Sequence, residues 1–224
     1  MDGIDLGFIR GGLMVFLLLV VSVALHEWGH AFMADLLGDD TPRNHGRVTL
    51  NPLVHIDLVG TIIFPLVMIF LFRGNFAPYG WGRPVLTNSS NFTHRRAYDI
   101  LATLAGSGAN FALALLAVVV GAWVVPKAPD SAELLRLLIS VNITLGVFNL
   151  LPIPPLDGGY ILRQLVGMSE ETFLSIARWS FLFFFVALYL EPVRVALNLV
   201  FYLSYRPFIY LCAWLNPGVA ALLF

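Results

Sequence analysis

The chain has 224 residues, 58% of them hydrophobic and 12% charged, with a formal net charge of −1. Soluble domains carry roughly 25% charged residues, so this composition, with a mean hydropathy of +0.82, indicates an integral membrane protein with several spans. The balanced charge gives no basic surface for a nucleic-acid partner, and the single cysteine, Cys212, excludes an internal disulfide and reads as a small packing residue in an apolar stretch.

Each membrane span needs about 20 apolar residues. The first expected span covers residues 12–37 and ends at Gly38, with Pro42 just beyond. Arg10 before this run looks like the start of a signal peptide, but the run has no small-residue cleavage site, so a retained first helix is expected. Near its end it carries His26-Glu27-Trp28-Gly29-His30, the H-E-x-x-H pattern. A polar stretch follows over 43–57, and within it residues 46–50 (Gly-Arg-Val-Thr-Leu) alternate polar and apolar, a short strand signal. Residues 58–72 are hydrophobic but short, with Gly60 and Pro65 inside, which leaves a full crossing and a re-entrant segment open. A loop rich in Gly, Pro, Asn and Trp is expected over 73–91.

The next expected span, 97–125, contains Ala105-Gly106-Ser107-Gly108-Ala109-Asn110, a small-residue face suited to close helix packing. Another covers 132–151 and breaks at Pro152-Ile153-Pro154-Pro155, where the backbone must unwind. Unwound backbone at membrane depth is tolerated only against protein or a wet cavity, and Asp157 sits at this break. Two further spans, 173–190 and 193–215, are separated by Glu191-Pro192. The expectation is an all-α polytopic membrane protein of about five transmembrane helices, plus a re-entrant segment and a small membrane-associated β element. It forms one domain over 1–224, with a catalytic core over about 10–168 and C-terminal helices over about 172–215. Arg43, Arg47, Arg73, Arg83, Arg95 and Arg96 cluster between the first and second long spans, which marks that side as cytoplasmic. If both Arg43 and Arg96 are cytoplasmic, residues 58–72 must enter and return.

The chemistry follows from the polar residues at membrane depth, which are costly and usually functional. His26 and His30 are one helical turn apart, so their imidazoles share a face and suit a zinc ion. Glu27 beside them can take a proton from the attacking water. A hydrolytic zinc site needs a third protein ligand. Among His45, His55, His94 and the acidic residues, Asp157 stands out, because a carboxylate in an apolar Pro/Gly break would otherwise be expensive. His55 is open between an accessory ligand, oriented by Asp57, and a capped turn, and the turn is favoured. His45 and His94 read as solvated.

His26-Glu27-Trp28-Gly29-His30, followed far downstream by Asn149-Leu150-Leu151-Pro152-Ile153-Pro154-Pro155-Leu156-Asp157-Gly158-Gly159, resembles the site-2 protease family of intramembrane zinc metalloproteases. Residues 105–110 are similar to that family's A-G-P-x-x-N segment, with Ser107 in place of the proline, and residues 51–60 and 80–85 resemble a compact bacterial branch without a PDZ domain. The resemblance covers roughly residues 20–165. It implies one Zn2+ per chain held by His26, His30 and Asp157, with Glu27 as general base and acid and Asn149 holding the substrate carbonyl or the developing oxyanion. It also implies a bacterial inner-membrane protein whose partners are the lipid bilayer and membrane-protein substrates with a transmembrane helix; the arginine distribution puts the N-terminus outside and the active site toward the cytoplasmic side. The oligomeric state stays open. The 46–50 strand would then pair with an unwound substrate. A metal transporter would use His26, Glu27, His30 and Asp157 as a transit site, but the spans offer few further polar residues for a path; a silent scaffold would have no need of Glu27.

Overall fold

The computed structural model describes residues 5–71, 80–187 and 190–224. Among these it is all helical, and four helices are long and apolar enough to cross a membrane. The first, α1 (Leu6–Leu36), starts where Asp5 accepts hydrogen bonds from the Gly7 and Phe8 amides at 3.0 and 3.1 Å. Its 31 residues rise about 46 Å, longer than the roughly 30 Å hydrocarbon core. Leu13, Leu17 and Val21 lie exposed along one side, while Leu19, Ser22, Val23, His26 and Ala34 are buried on the other. The helical period thus separates a lipid-facing stripe from a packed one that carries the histidines.

Beyond α1, Asp39 is fully buried. It accepts from the Thr41 hydroxyl at 2.6 Å, the Asn91 amide side chain at 2.8 Å and the Asn88 backbone N–H at 2.6 Å, fastening the short helix α2 (Thr41–Asn44) to residues 88–91. Burial pushes the Asp39 carboxyl up, but these donors outweigh it and hold the group below its usual range.

The strand expected over 46–50 does not form, and there is no strand among the described residues. Gly46 takes a φ of +66°, the Arg47 amide bonds Pro42 O at 2.8 Å and the Thr49 amide bonds Arg47 O at 2.9 Å, so the chain curls. The physical reason is Arg47. Its guanidinium turns inward, 6% exposed, and donates to the carbonyls of Val54 and Arg83. A charge so buried needs these acceptors, and a five-residue alternation is a weak competing signal.

The helical segment α3 (Leu58–Leu71) is hydrogen-bonded largely in the wide i→i+5 register, around Pro65. It runs antiparallel to α1, with Ile69 and Phe70 so close to Gly12 that a Cβ there would come within 2.9 Å of both. Residues 80–88 are extended and run back along α1. Gly80 lies 3.4 Å from Leu19 by its Cβ direction, Gly82 rests on Glu27, and Asn88 reaches Asp39. Both flanks of α3 are therefore tied to the C-terminal end of α1. The expected loop over 73–91 falls partly outside the described residues.

Next, α4 (Arg95–Val124) packs antiparallel on α1, and α5 (Ser131–Asn149) packs on both. The α1–α4 approach is close at Gly29, where a Cβ would sit 2.6 Å from the Ala105 carbonyl oxygen. Such contact is how small residues let membrane helices pack. After the unwound 150–156 stretch come α6 (Asp157–Val166), α7 (Glu170–Ala187), α8 (Glu191–Leu215) and α9 (Pro217–Leu223). The main apolar core lies between α4, α5, α8 and α9, around Val118, Ile139, Ile143, Cys212 and Leu223. The fifth expected span, 173–190, lies largely on α7, whose described residues carry Glu170, Glu171 and Arg178 and are not among the four apolar spans; residues 188–189 lie outside the described residues. The short α9 was not expected. Asn216-Pro217 starts it, Asn216 donates to Ala122 O at 3.2 Å, and it folds back so that Leu223 fills the space over Gly121.

Candidate metal centre

His26 and His30 sit on the buried face of α1, and Asp157 opens α6 after the proline break. The break is closed by glycines. A Cβ on Gly158 would strike the carbonyl groups of Leu150 and Leu151, and one on Gly159 would lie 2.6 Å from Pro154 N. Only two glycines in sequence let the start of α6 tuck against the end of α5, and that tuck carries Asp157 to α1. Its Oδ2 lies 3.3 Å from His26 Nε2 and 3.4 Å from His30 Nε2. The two Nε2 atoms are 3.1 Å apart. One ligand atom from each of these three residues lies within 4.8 Å of the others.

The hydrogen-bond partners decide what these atoms are. His30 Nδ1 is 2.9 Å from the Ala102 carbonyl oxygen, which can only accept. His26 Nδ1 is 2.7 Å from Asn110 Oδ1, also an acceptor. Both Nδ1 atoms therefore carry the proton, and both Nε2 atoms present lone pairs to one point. Asp157 Oδ2 is buried there without a hydrogen-bond donor. Two imine nitrogens and an orphaned carboxylate oxygen, all acceptors, are a donor set that a divalent cation satisfies. The residues thus fit the zinc expected for them.

Glu27 is 8% exposed. Gly82 lies over it, so close that a Cβ would be 2.6 Å from Glu27 Cγ and 2.8 Å from Oε1. The extended 80–88 segment is held at this height by bonds from the Trp81 amide to Gly60 O at 3.2 Å and from the Arg83 amide to His55 O at 2.8 Å, and by the Arg47 guanidinium on Arg83 O.

The other sequence candidates are placed elsewhere. Asn149 is part-buried and its amide donates back to Leu145 O at 3.0 Å, within its own helix. His55 bonds Thr49 O through Nε2 at 2.9 Å; burial lowers its pKa and the Arg47 charge lowers it further, against that bond. Asp57 accepts from the Val59 and Gly60 amides at 3.1 and 2.6 Å, so it caps α3. His45 and His94 are exposed. Trp28 stacks on Phe32 at 4.9 Å, and Trp81 lies against Phe64 at 5.4 Å.

Sequence reasoning missed Asn110, whose Oδ1 meets His26 Nδ1, and Asn142, whose Oδ1 accepts from Asn110 Nδ2, and misplaced Arg47. The two asparagines did leave a signal, since an amide inside an apolar span is costly unless fully bonded. Arg47 left none, because an arginine beside a span reads as a cytoplasmic charge.

A family model described as peptidase family M50 matches residues 126–190, which include Asn149 and Asp157. The chain is 34% identical over 183 residues to a protein of Bacillus subtilis (strain 168) named as zinc metalloprotease YwhC, covering 78% of this chain and 79% of that one. It is 32% identical over 194 residues to a protein of Mycolicibacterium smegmatis named as zinc metalloprotease Rip2, covering 84% of this chain and 71% of the relative. A Rip2 of Mycobacterium tuberculosis (strain H37Rv) is 33% identical over 176 residues, or 77% and 65% of the two chains. No solved structure matches the chain significantly.

Proposed function

We infer the activity from a premise that these relatives establish: the chain belongs to peptidase family M50, the site-2 type of zinc metalloprotease. It is a zinc metallopeptidase of the membrane, and the reading that fits its geometry best is an intramembrane endopeptidase that cuts transmembrane helices of membrane-protein substrates. The observation that carries this reading is the convergence of His26 Nε2, His30 Nε2 and Asp157 Oδ2 beside a buried Glu27, on helices whose outer faces are apolar.

Zinc bound there supplies Lewis acidity toward the water and the scissile carbonyl. Glu27 takes the proton of the attacking water and returns it to the leaving amide nitrogen. The acceptors at His26 Nδ1 and His30 Nδ1, Asn110 Oδ1 and the Ala102 carbonyl, hold both rings with Nε2 turned to the metal. Asn149 would turn from Leu145 O toward the substrate carbonyl as the substrate enters. A substrate helix must unwind before its carbonyl can be attacked, and the extended residues 80–88, already over Glu27, offer it main-chain partners. The curled 46–50 segment does not. The whole of 1–224 acts as one unit, with the C-terminal helices flanking the catalytic core, in a bacterial inner membrane with the site toward the cytoplasm.

The test is cleavage of transmembrane peptides by the purified protein in detergent, with and without chelator, alongside metal analysis. About one zinc per chain is expected, with loss of both zinc and cleavage in Asp157→Ala. Full zinc retention in Asp157→Ala would remove that residue from the site. Re-entry of α3 has its own test. Its flanks at Thr41 and Asn88 both bond Asp39, which supports its two ends lying on one side. Single cysteines at Asn44 and Ser90, in cells, should react with an impermeant thiol reagent from the same side. Labelling from opposite sides would make α3 a crossing helix.

A further inference from the structure

Three polar side chains from three different helices meet at the centre of the bundle: Ser22 on α1, Asn110 on α4 and Asn142 on α5, all 0% exposed. We propose that Asn142 is a positioning residue for the zinc site, although it touches no metal ligand. Together with the Ser22 backbone carbonyl it fixes which end of the Asn110 amide faces His26, and through it the form in which His26 binds metal. This rests on the zinc reading above.

The proposal follows from a complete accounting of donors and acceptors. Asn142 Nδ2 lies 2.9 Å from Leu138 O and 2.9 Å from Ser22 Oγ. Leu138 O can only accept. The Ser22 hydroxyl spends its proton on Leu18 O at 2.7 Å and so accepts from Asn142. Both amide hydrogens of Asn142 are thereby used, and its Oδ1 must point the other way, toward Asn110 Nδ2 at 2.9 Å. The second hydrogen of Asn110 Nδ2 goes to Ser22 O at 3.0 Å. Asn110 is then left with Oδ1 for His26, which forces the proton onto His26 Nδ1 and the lone pair onto Nε2. None of these atoms is among the buried groups left without a partner.

If Asn110 flipped, its NH2 would face Nδ1, the proton would move to Nε2, and that nitrogen would cease to be a ligand. Backbone carbonyls at the ends of the chain of bonds make the flip unfavourable, since a reversed amide would set oxygen against oxygen at Ser22 O and at Asn142 Oδ1. A plain packing role for Asn142 would not need this directionality. Ser22 supports Asn142 by one of two bonds, and the other, to Leu138 O, persists without it.

The experiment measures Zn2+ affinity of the full chain in detergent by competition with a chromophoric chelator, and the visible spectrum after Co2+ substitution. Asn142→Leu removes one of the two acceptors of the Asn110 amide and leaves that buried hydrogen without a partner, and it should weaken zinc by about ten- to hundred-fold, the usual effect of losing an outer-shell partner, with a changed cobalt spectrum. Asn142→Asp, as the neutral acid, can donate to Leu138 O and still accept from Asn110; it should bind zinc and cobalt as the wild type does. Ser22→Ala removes buried hydrogen bonds without turning Asn110, so it should lower thermal stability and leave zinc affinity unchanged. The proposal is overturned if Asn142→Leu binds zinc like the wild type, or if all three variants weaken it alike. Should Asn142→Leu not accumulate, Asn110→Leu must show the same loss, and normal affinity there also overturns the proposal. A wild-type chain that binds no zinc would instead sink the peptidase reading itself.

Discussion

Glu27→Gln is expected to keep its zinc and its fold and to lose cleavage by about 10²-fold or more, the usual size of a general acid–base effect. The amide has nearly the shape of the carboxylate, so it fits the narrow space under Gly82, where even a Cβ would come 2.6 Å from Glu27 Cγ. The three proposed metal ligands and the bonds that orient them do not involve Glu27. What the substitution removes is an oxygen able to accept the proton of the attacking water. Initial rates on a transmembrane peptide in detergent, measured beside zinc content, decide the matter. Turnover above about 1% of wild type with zinc intact would mean that another group takes the proton.

The parts of this molecule that were legible in the sequence are those whose signal is local. The His26–His30 spacing is one helical turn, and α1 forms because the surrounding run is apolar. The break before Asp157 was legible because prolines must unwind a helix, and the glycines after it leave room for one tight closure. Four apolar spans were found for the same reason.

What was missed depends on partners far away in the chain. Residues 46–50 alternate as a strand would, but the Arg47 guanidinium finds Val54 O and Arg83 O, and the second of these lies 36 residues on. Asn110 carried a family likeness and Asn142 nothing beyond its being polar. Only the packing of α1, α4 and α5 shows that their amides, with bonds spanning 32 and 84 residues, end on His26. Asn149 is the reverse case: the motif suggests a substrate-facing role, and in this structure its amide donates to Leu145 O within its own helix.

The compactness of the metal centre makes one methyl group a severe perturbation. A Cβ on Gly106 would overlap His30 Nε2 and Cε1 and lie 2.9 Å from His26 Cε1. Neither ring can swing away freely. His30 is tied to Ala102 O at 2.9 Å and His26 to Asn110 at 2.7 Å, and both anchors stand on α4, the helix that bears Gly106. Nor can α4 draw back without opening the contact at Gly29 and breaking those same bonds. Gly106→Ala should therefore dislodge at least one imidazole and weaken zinc binding by about ten-fold or more, by analogy with loss of an outer-shell partner, and cleavage should fall with it. Gly108→Ala is the matched control. It lies two positions on in the same helix, with nothing within 4 Å of the new Cβ. Both substitutions gain the same helix propensity, about 1 kcal/mol over glycine, so a difference between them isolates the collision with the histidines. Chelator competition on the two purified variants measures it. Equal zinc affinity in Gly106→Ala and Gly108→Ala would show that the histidine pair does not sit against α4 as closely as this structure has it.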